Sequence, residues 1–135
     1  MDKIVFWKEK EKELVDPTLF STQAEILAQN MARDHETSRG KKFNKRTQIR
    51  KFFDEVTRLD IAAKSKPETW TNILPMVHML TAKAAYARGR ELVSEDFLTF
   101  IKQSVDQVKD QRDLNLFASF FEALMGFYRM HGPSN

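Results

Sequence analysis

The stretch TQIRKFFDEVTRL, residues 47–59, places Ile49, Phe52, Phe53, Val56 and Leu59 at i, i+3, i+4, i+7 and i+10. Such spacing advances about 100° per residue and draws one apolar stripe along a helix. A strand sends alternate side chains to opposite faces and would scatter these five. Further stretches repeat the pattern. Trp70, Ile73, Leu74, Val77, Leu80 and Ala84 mark one helix, Phe97, Leu98, Ile101, Val105 and Val108 another, and Ala24, Leu27 and Met31 a helix over residues 21–32. From 116 to 128, Leu116, Phe117, Phe120, Phe121, Leu124, Met125, Phe127 and Tyr128 cover far more than one stripe. That last helix is either central in its own bundle or covered on one side by another chain. No alternating strand pattern occurs, and four Gly and four Pro are too few for a turn-rich sheet protein. The prediction is an all-α protein, a single compact bundle of about five helices with no sheet, one domain over residues 1–135.

Local signals set the expected boundaries. Asn44 or Thr47 is placed to cap the helix at 47–59, which fades at Lys64-Ser65-Lys66-Pro67. Pro67 opens the next helix, and Pro75 within it is expected to kink or divide it. Ser94 precedes Glu95 and Asp96 as a cap with acids in the first turn. The closing helix starts after Asp110 or Asp113 and stops at Gly132-Pro133. Residues 34–42 read as a loop around Gly40. Residues 1–17 are the least legible; residues 1–20 read as a loosely packed N-terminal arm, with Ile4, Phe6 and Trp7 apolar enough to dock on this domain or a neighbour.

Composition narrows the class. At 135 residues, 41% hydrophobic and 11% aromatic, the chain can bury a real core. Eleven Phe imply a tightly packed interior. Without Cys there is no disulfide and no thiolate metal site, which fits a reducing cytoplasm. The first eight residues hold too short an apolar run for a signal peptide, and no stretch approaches the ~20 apolar residues of a membrane span. A cytoplasmic protein without membrane partners is expected.

Charge is distributed unevenly. Between residues 37 and 53 stand seven basic residues and no acid: Arg39, Lys41, Lys42, Lys45, Arg46, Arg50 and Lys51. The rest of the chain has 15 Lys and Arg against 19 Asp and Glu. A local basic cluster on a chain otherwise acidic points to a polyanion partner. Lys45 and Arg46 fall at the start of a helix, where the dipole disfavours cations by ~0.3–1 kcal/mol each. A phosphate bound to free N–H groups at that end would reverse the sign. Arg46 and Arg50, one turn apart at the border of the apolar stripe, lack an acid of their own at i+4, whereas Arg58 can pair with Asp54 or Glu55. Arg suits phosphate because its planar fork donates two parallel hydrogen bonds. Lys83, Tyr86 and Arg90, at i, i+3 and i+7, form a second basic–aromatic stripe away from the core face of their helix. The bland alternatives are a solvated basic loop and an aromatic at the rim of the core. Arg88 falls near the core face and is expected to snorkel or pair with an acid.

Catalytic signals are poor. His35, His78 and His131 lie far apart without metal-ligand spacing, and no phosphate-binding, dinucleotide or nucleophile-elbow motif occurs. Arg33-Asp34-His35-Glu36 invites a nuclease reading, but a histidine between two acids in a loop is ordinarily polar surface. No catalytic residue, metal or cofactor is expected.

Thr47-Gln48-Ile49-Arg50-Lys51-Phe52-Phe53-Asp54-Glu55-Val56 resembles the "TQIRKF-x-EV" helix of the small subunit of type III-A CRISPR (Csm) effector complexes. Two collinear blocks add to it. Ile73-Leu74-Pro75-Met76 through Lys83-Ala84-Ala85-Tyr86-Ala87-Arg88-Gly89-Arg90 is similar to that family's "LP…L-x-A-K-x-A-Y-A-x-G-R" segment. Phe117-Ala118-Ser119-Phe120-Phe121-Glu122-Ala123-Leu124 with Tyr128-Arg129 resembles its closing "F-x-x-F-F-E-A-x-x-x-Y-R" helix. The resemblance spans about 44–129 and leaves residues 1–42 unmatched. It implies a non-catalytic subunit that stacks with further copies of itself as a minor filament in antiviral defence. Its other implied partners are crRNA and target RNA, the repeated backbone subunit and the large polymerase-like subunit. Backbone contacts carry over to Arg50, Lys51, Lys45 and Arg46, and to Arg90 at the end of the second block. Lys41, Lys42 and Lys83 join the RNA-binding set on charge alone. Base pairing would supply sequence specificity, leaving the protein to read charge and shape. Head-to-tail stacking needs a heterologous interface, for which the wide apolar face around Phe120 and Phe127 is a candidate. The competing readings are a small subunit of another CRISPR subtype, a helical protein–protein adaptor whose basic patch meets an acidic partner, and a small nuclease around His35.

Overall fold

Helix α5 (Gln111–His131) lies at the centre of the computed structural model, which describes residues 3–135. Packed on it are α1 (Ala24–Thr37) and α2 (Arg46–Ser65). Helix α4 (Glu95–Gln107) reaches it through Phe97 and Phe100, and α3 (Trp70–Gly89) closes the far side against α4 and α2. Among the described residues there is no strand, only one isolated bridge between Glu9 and Leu14. The protein is all-α.

Why α5 is central follows from its side chains. Phe117, Phe120 and Phe121 are fully buried and meet Phe100 at ring-centroid distances of 5.9, 5.6 and 5.2 Å. Phe6 from the N-terminal arm stacks on Phe117 at 6.1 Å. Such ring pairs add roughly 0.5–1.5 kcal/mol each beyond the area they bury. Most of the wide apolar face is thus consumed inside the chain's own bundle; Phe120, with no exposed surface, is unavailable for stacking between copies, while Phe127 is half-buried. Asp110 and Asp113 start the helix with a reciprocal capping box.

The N-terminal arm docks on this same domain. Ile4 and Phe6 are core residues, and their backbone N–H groups donate to Gln103 Oε1 (3.3 Å) and Gln107 Oε1 (2.8 Å). Trp7 Nε1 donates to Asp113 Oδ1 at 2.7 Å, and Lys10 Nζ to Asp113 Oδ2 at 2.9 Å. These bonds clasp the arm to the start of α5 rather than leaving it loose. The alternating charges at 8–13 stay largely exposed.

Several boundaries differ from expectation. Helix α1 extends to Thr37, where a loop was expected from residue 34. His35 is the reason: buried at i+4 from Met31, it continues the stripe and bonds through Nδ1 to the Phe43 carbonyl at 2.8 Å. Pro75 neither ends nor divides α3. It sits in the second turn, and the carbonyl it leaves free belongs to exposed Thr71, within reach of water. Neither Asn44 nor Thr47 caps α2, whose N-cap is Lys45 with no side-chain bond. Ser94 does cap α4, accepting from the Phe97 N–H at 3.4 Å.

Asn44 has a different task. It adopts φ 61°, a left-handed conformation that Asn tolerates better than most residues. Its Nδ2 donates to the Met31 carbonyl (3.2 Å) and Ser94 Oγ (2.9 Å), and its Oδ1 accepts from Ser94 N–H (2.9 Å). Its own N–H donates to the Leu92 carbonyl at 2.9 Å, and its carbonyl accepts from Tyr128 Oη at 2.6 Å. One buried residue thereby ties α1, the α3–α4 connection and α5 to the residue before Lys45. Burial pushes the Tyr128 hydroxyl far above the ordinary tyrosine range and keeps it a donor.

Candidate nucleic-acid interface

The apolar stripe of α2 faces α5, α3 and α4 and turns Thr47, Arg50, Lys51, Asp54 and Arg58 outward. Arg50 and Lys51, exposed at the start of this outer face, have no ion-pair partner among the described residues, nor has Lys45 at the N-cap. Phosphate binding benefits from cations that need not first break an internal pair. Asp54, although i+4 from Arg50, forms no bridge with it.

Arg46 is placed differently. It is half-buried against the end of α5, where Nη2 donates to the Arg129 carbonyl at 3.3 Å. Its Nε is shielded from solvent without a partner. Part of this guanidinium is thus committed to the fold. The N–H groups expected to cradle phosphate at the start of α2 are also occupied in part. Thr47 N–H and Oγ1 donate to the Asn135 carbonyl oxygen at 3.2 and 3.1 Å. A phosphate approaching this end would find the Thr47 N–H already bonded.

The remaining cations divide into two groups. Lys41 reaches Glu36 at 3.2 Å and Lys42 reaches Glu91 at 3.7 Å. Both pairs are solvent-exposed, and exposed pairs contribute roughly 0–1 kcal/mol, so an incoming polyanion can displace them at little cost. Lys83 sits on α3 facing α2, 3.4 Å from Glu55, which Arg58 also grips. Arg58, and with it Lys83, holds the Glu55 carboxyl below the usual glutamate value against the opposing effect of burial. Arg88 pairs with Glu95 at 3.3 Å and lies over the Phe43 ring at 5.3 Å, the structural role its spacing predicts.

Lys51 and Lys83 are brought together across a groove of about 540 Å³ between α2 and α3. Its walls include Gln48, Phe52, Met79 and Tyr86. Tyr86 is 65% exposed, so it is not the core-rim residue of the bland alternative. Arg90 Nη1 donates to Tyr86 Oη at 3.1 Å, with the guanidinium 5.8 Å from the ring centroid. The Lys83–Tyr86–Arg90 spacing foretold this stripe, but nothing local in the sequence joined it to Lys51 or Gln48. That junction is tertiary.

His35 is structural, and His131 Nε2 lies 2.8 Å from Glu25 Oε2, joining α5 to α1. Among the described residues no group of three His, Asp or Glu converges as a metal site. No helix among them is long and apolar enough to cross a membrane.

The family model Csm2 Type III-A matches residues 18–134. The match takes in α1 and the basic loop, which the three sequence blocks did not reach. No curated protein and no solved structure shows significant similarity to the chain.

Proposed function

The chain belongs to the Csm2 Type III-A family and is a small subunit of a type III-A CRISPR effector complex; from that premise we propose that it is a non-catalytic, cytoplasmic subunit that holds RNA backbone. The observation that carries this reading is the set Lys45, Arg50 and Lys51, exposed at the start of α2 with no ion-pair partner among the described residues. Lys41, Lys42, Lys83 and Arg90 widen the basic surface on either side, and Arg46 contributes its guanidinium edge. The RNA is the guide and its bound target, whose pairing supplies the sequence information. Contacts with further copies of itself and with the repeated backbone and large polymerase-like subunits complete the assembly. With Phe120 buried, the support for stacking comes from elsewhere. Ile26 and Met130 are 50% and 66% exposed and flank the bonded pair Glu25 and His131.

The test replaces Lys45, Arg50 and Lys51 together by Ala in the assembled complex. Affinity for target RNA is expected to fall, and the slope of log K against log salt to shrink by roughly 0.7–0.9 for each phosphate no longer neutralised. Unchanged affinity and slope would exclude this surface. Full target cleavage by a complex carrying His35→Ala would separately dispose of the nuclease reading.

A further inference from the structure

The groove between α2 and α3 combines features that backbone binding alone does not need. Met79, Leu80, Ala82 and Ala87 contribute an apolar floor, and Tyr86 stands at its edge. At about 540 Å³ it lies within the roughly 300–1,000 Å³ of small-ligand clefts. Its lining carries Lys51 and Lys83 against the single acid Glu55, an excess of one positive charge, with Arg90 bonded to Tyr86 at the edge. A partner peptide helix would suit the methionines but gains nothing from that charge unless it is acidic. An anion bearing a flat apolar group matches both the charge and the floor.

We infer that this groove receives one unpaired nucleotide of the bound RNA, its base stacked on Tyr86 and its phosphate held by Lys51. The inference rests on the RNA reading above and adds a base contact to it. Arg90 sits at the hydroxyl end of the tyrosine ring, 5.8 Å from its centroid, and the ring is 65% exposed where it lines the groove. A base entering the groove can stack on this exposed ring, with the Arg90 guanidinium beside it adding positive charge. Gln48 lines the same groove and is free of intramolecular side-chain bonds among the described residues, so its amide can both donate to and accept from a base edge. Stacking favours any exposed base without selecting a sequence, which leaves specificity to guide pairing. A paired base, already stacked in a duplex, cannot enter. The groove therefore reads where the RNA is unpaired.

The experiment uses the full chain at low salt with single-stranded RNA carrying 2-aminopurine, the same RNA with an abasic site at that position, and a fully paired duplex. The expected result is quenching of 2-aminopurine on binding and weaker binding of the duplex. Tyr86→Ala should weaken single-strand binding at least about five-fold, with little further loss on the abasic RNA, while Tyr86→Phe, which keeps the ring but loses the bond to Arg90, should lose less than Tyr86→Ala. Because Tyr86 is largely exposed, circular dichroism and the thermal midpoint should be unchanged in both variants. If Lys51→Ala weakens RNA binding but Tyr86→Ala neither does so nor abolishes quenching, the inference falls and the backbone reading stands. Absence of quenching and of RNA binding by the wild-type chain overturns the inference, whereas the backbone reading stands or falls with the assembled complex. If Tyr86→Ala leaves RNA binding intact but keeps the chain out of the assembled complex, the occupant is a protein and the inference is wrong.

Discussion

Helices α3 and α5 are nearly equal in length, 20 and 21 residues, and both carry more apolar side chains than one stripe can hold. In α5 most of the large ones are buried, with Leu116 and Phe127 half-buried and Met130 exposed at its end. In α3, Met76, Met79 and Tyr86 remain 48%, 54% and 65% exposed. Composition does not explain the contrast. Position does: α5 is enclosed by α1, α2 and the phenylalanines of α4, whereas α3 rests on α4 and α2 at the edge of the bundle. Apolar surplus at the centre stabilises the fold; the same surplus at the edge stays exposed to solvent.

The largest expected effect lies in the centre. Phe100→Ala should lower unfolding free energy by about 3–5 kcal/mol in urea titration, because the cavity opens among three buried rings of α5. Met79→Ala on α3 should stay within about 0.5 kcal/mol. Similar losses from the two would break the contrast. Next comes Asn44→Ala, expected to cost about 2–3 kcal/mol by leaving Ser94 N–H and the Met31 carbonyl without their partners.

Smaller still is a contrast between cations at the two ends of the bundle. Lys51→Ala should weaken RNA binding and lower its salt slope by roughly 0.7–0.9. Arg112→Ala should do neither, since that guanidinium at the start of α5 already bonds Glu13 and Asp110 at 3.1 and 3.2 Å. An equal response would mean that RNA binding reports net charge alone.

The smallest effect concerns pH. Burial would raise the Asp110 carboxyl, but the Asp113 N–H and the side chains of Lys10 and Arg112 outweigh it and hold the group below the usual aspartate value. With the folded-state value depressed, the stabilisation is present above the unfolded value of about 4 and is lost as pH falls through the folded one. Solvent screening limits it to a few tenths of a kcal/mol. Trp7 fluorescence should report loosening of the arm on acidification below about pH 4, and Asp110→Asn should reduce that component.

Helix period and caps made most of the fold legible, because Ile49, Phe52, Val56 and Leu59, like Ser94, act within their own helix. Readings failed where a polar residue does a core residue's work. His35 looked like loop because its burial depends on the Phe43 carbonyl, and Asn44 looked like a cap because its partners lie 13, 50 and 84 residues away in sequence. The basic cluster was visible from charge alone. Its division into committed and free cations was not, since the carbonyl of Arg129 and the carboxylate of Glu91 come from distant parts of the chain, as does Glu55 for Lys83. Tyr86 had the right neighbours within α3, but only the approach of α2 turns an exposed ring into the wall of a groove.

The hydrogen bonds of Asn44 are made between uncharged groups, and its side chain is fully buried. Added salt screens exposed charges but barely touches such bonds. The backbone beside Lys45 and Arg46 is consequently held in register across ionic strength, including where salt would weaken the proposed contact with phosphate. Salt would empty the site without dismantling it, so binding should return in full on dilution, with no refolding step to delay it.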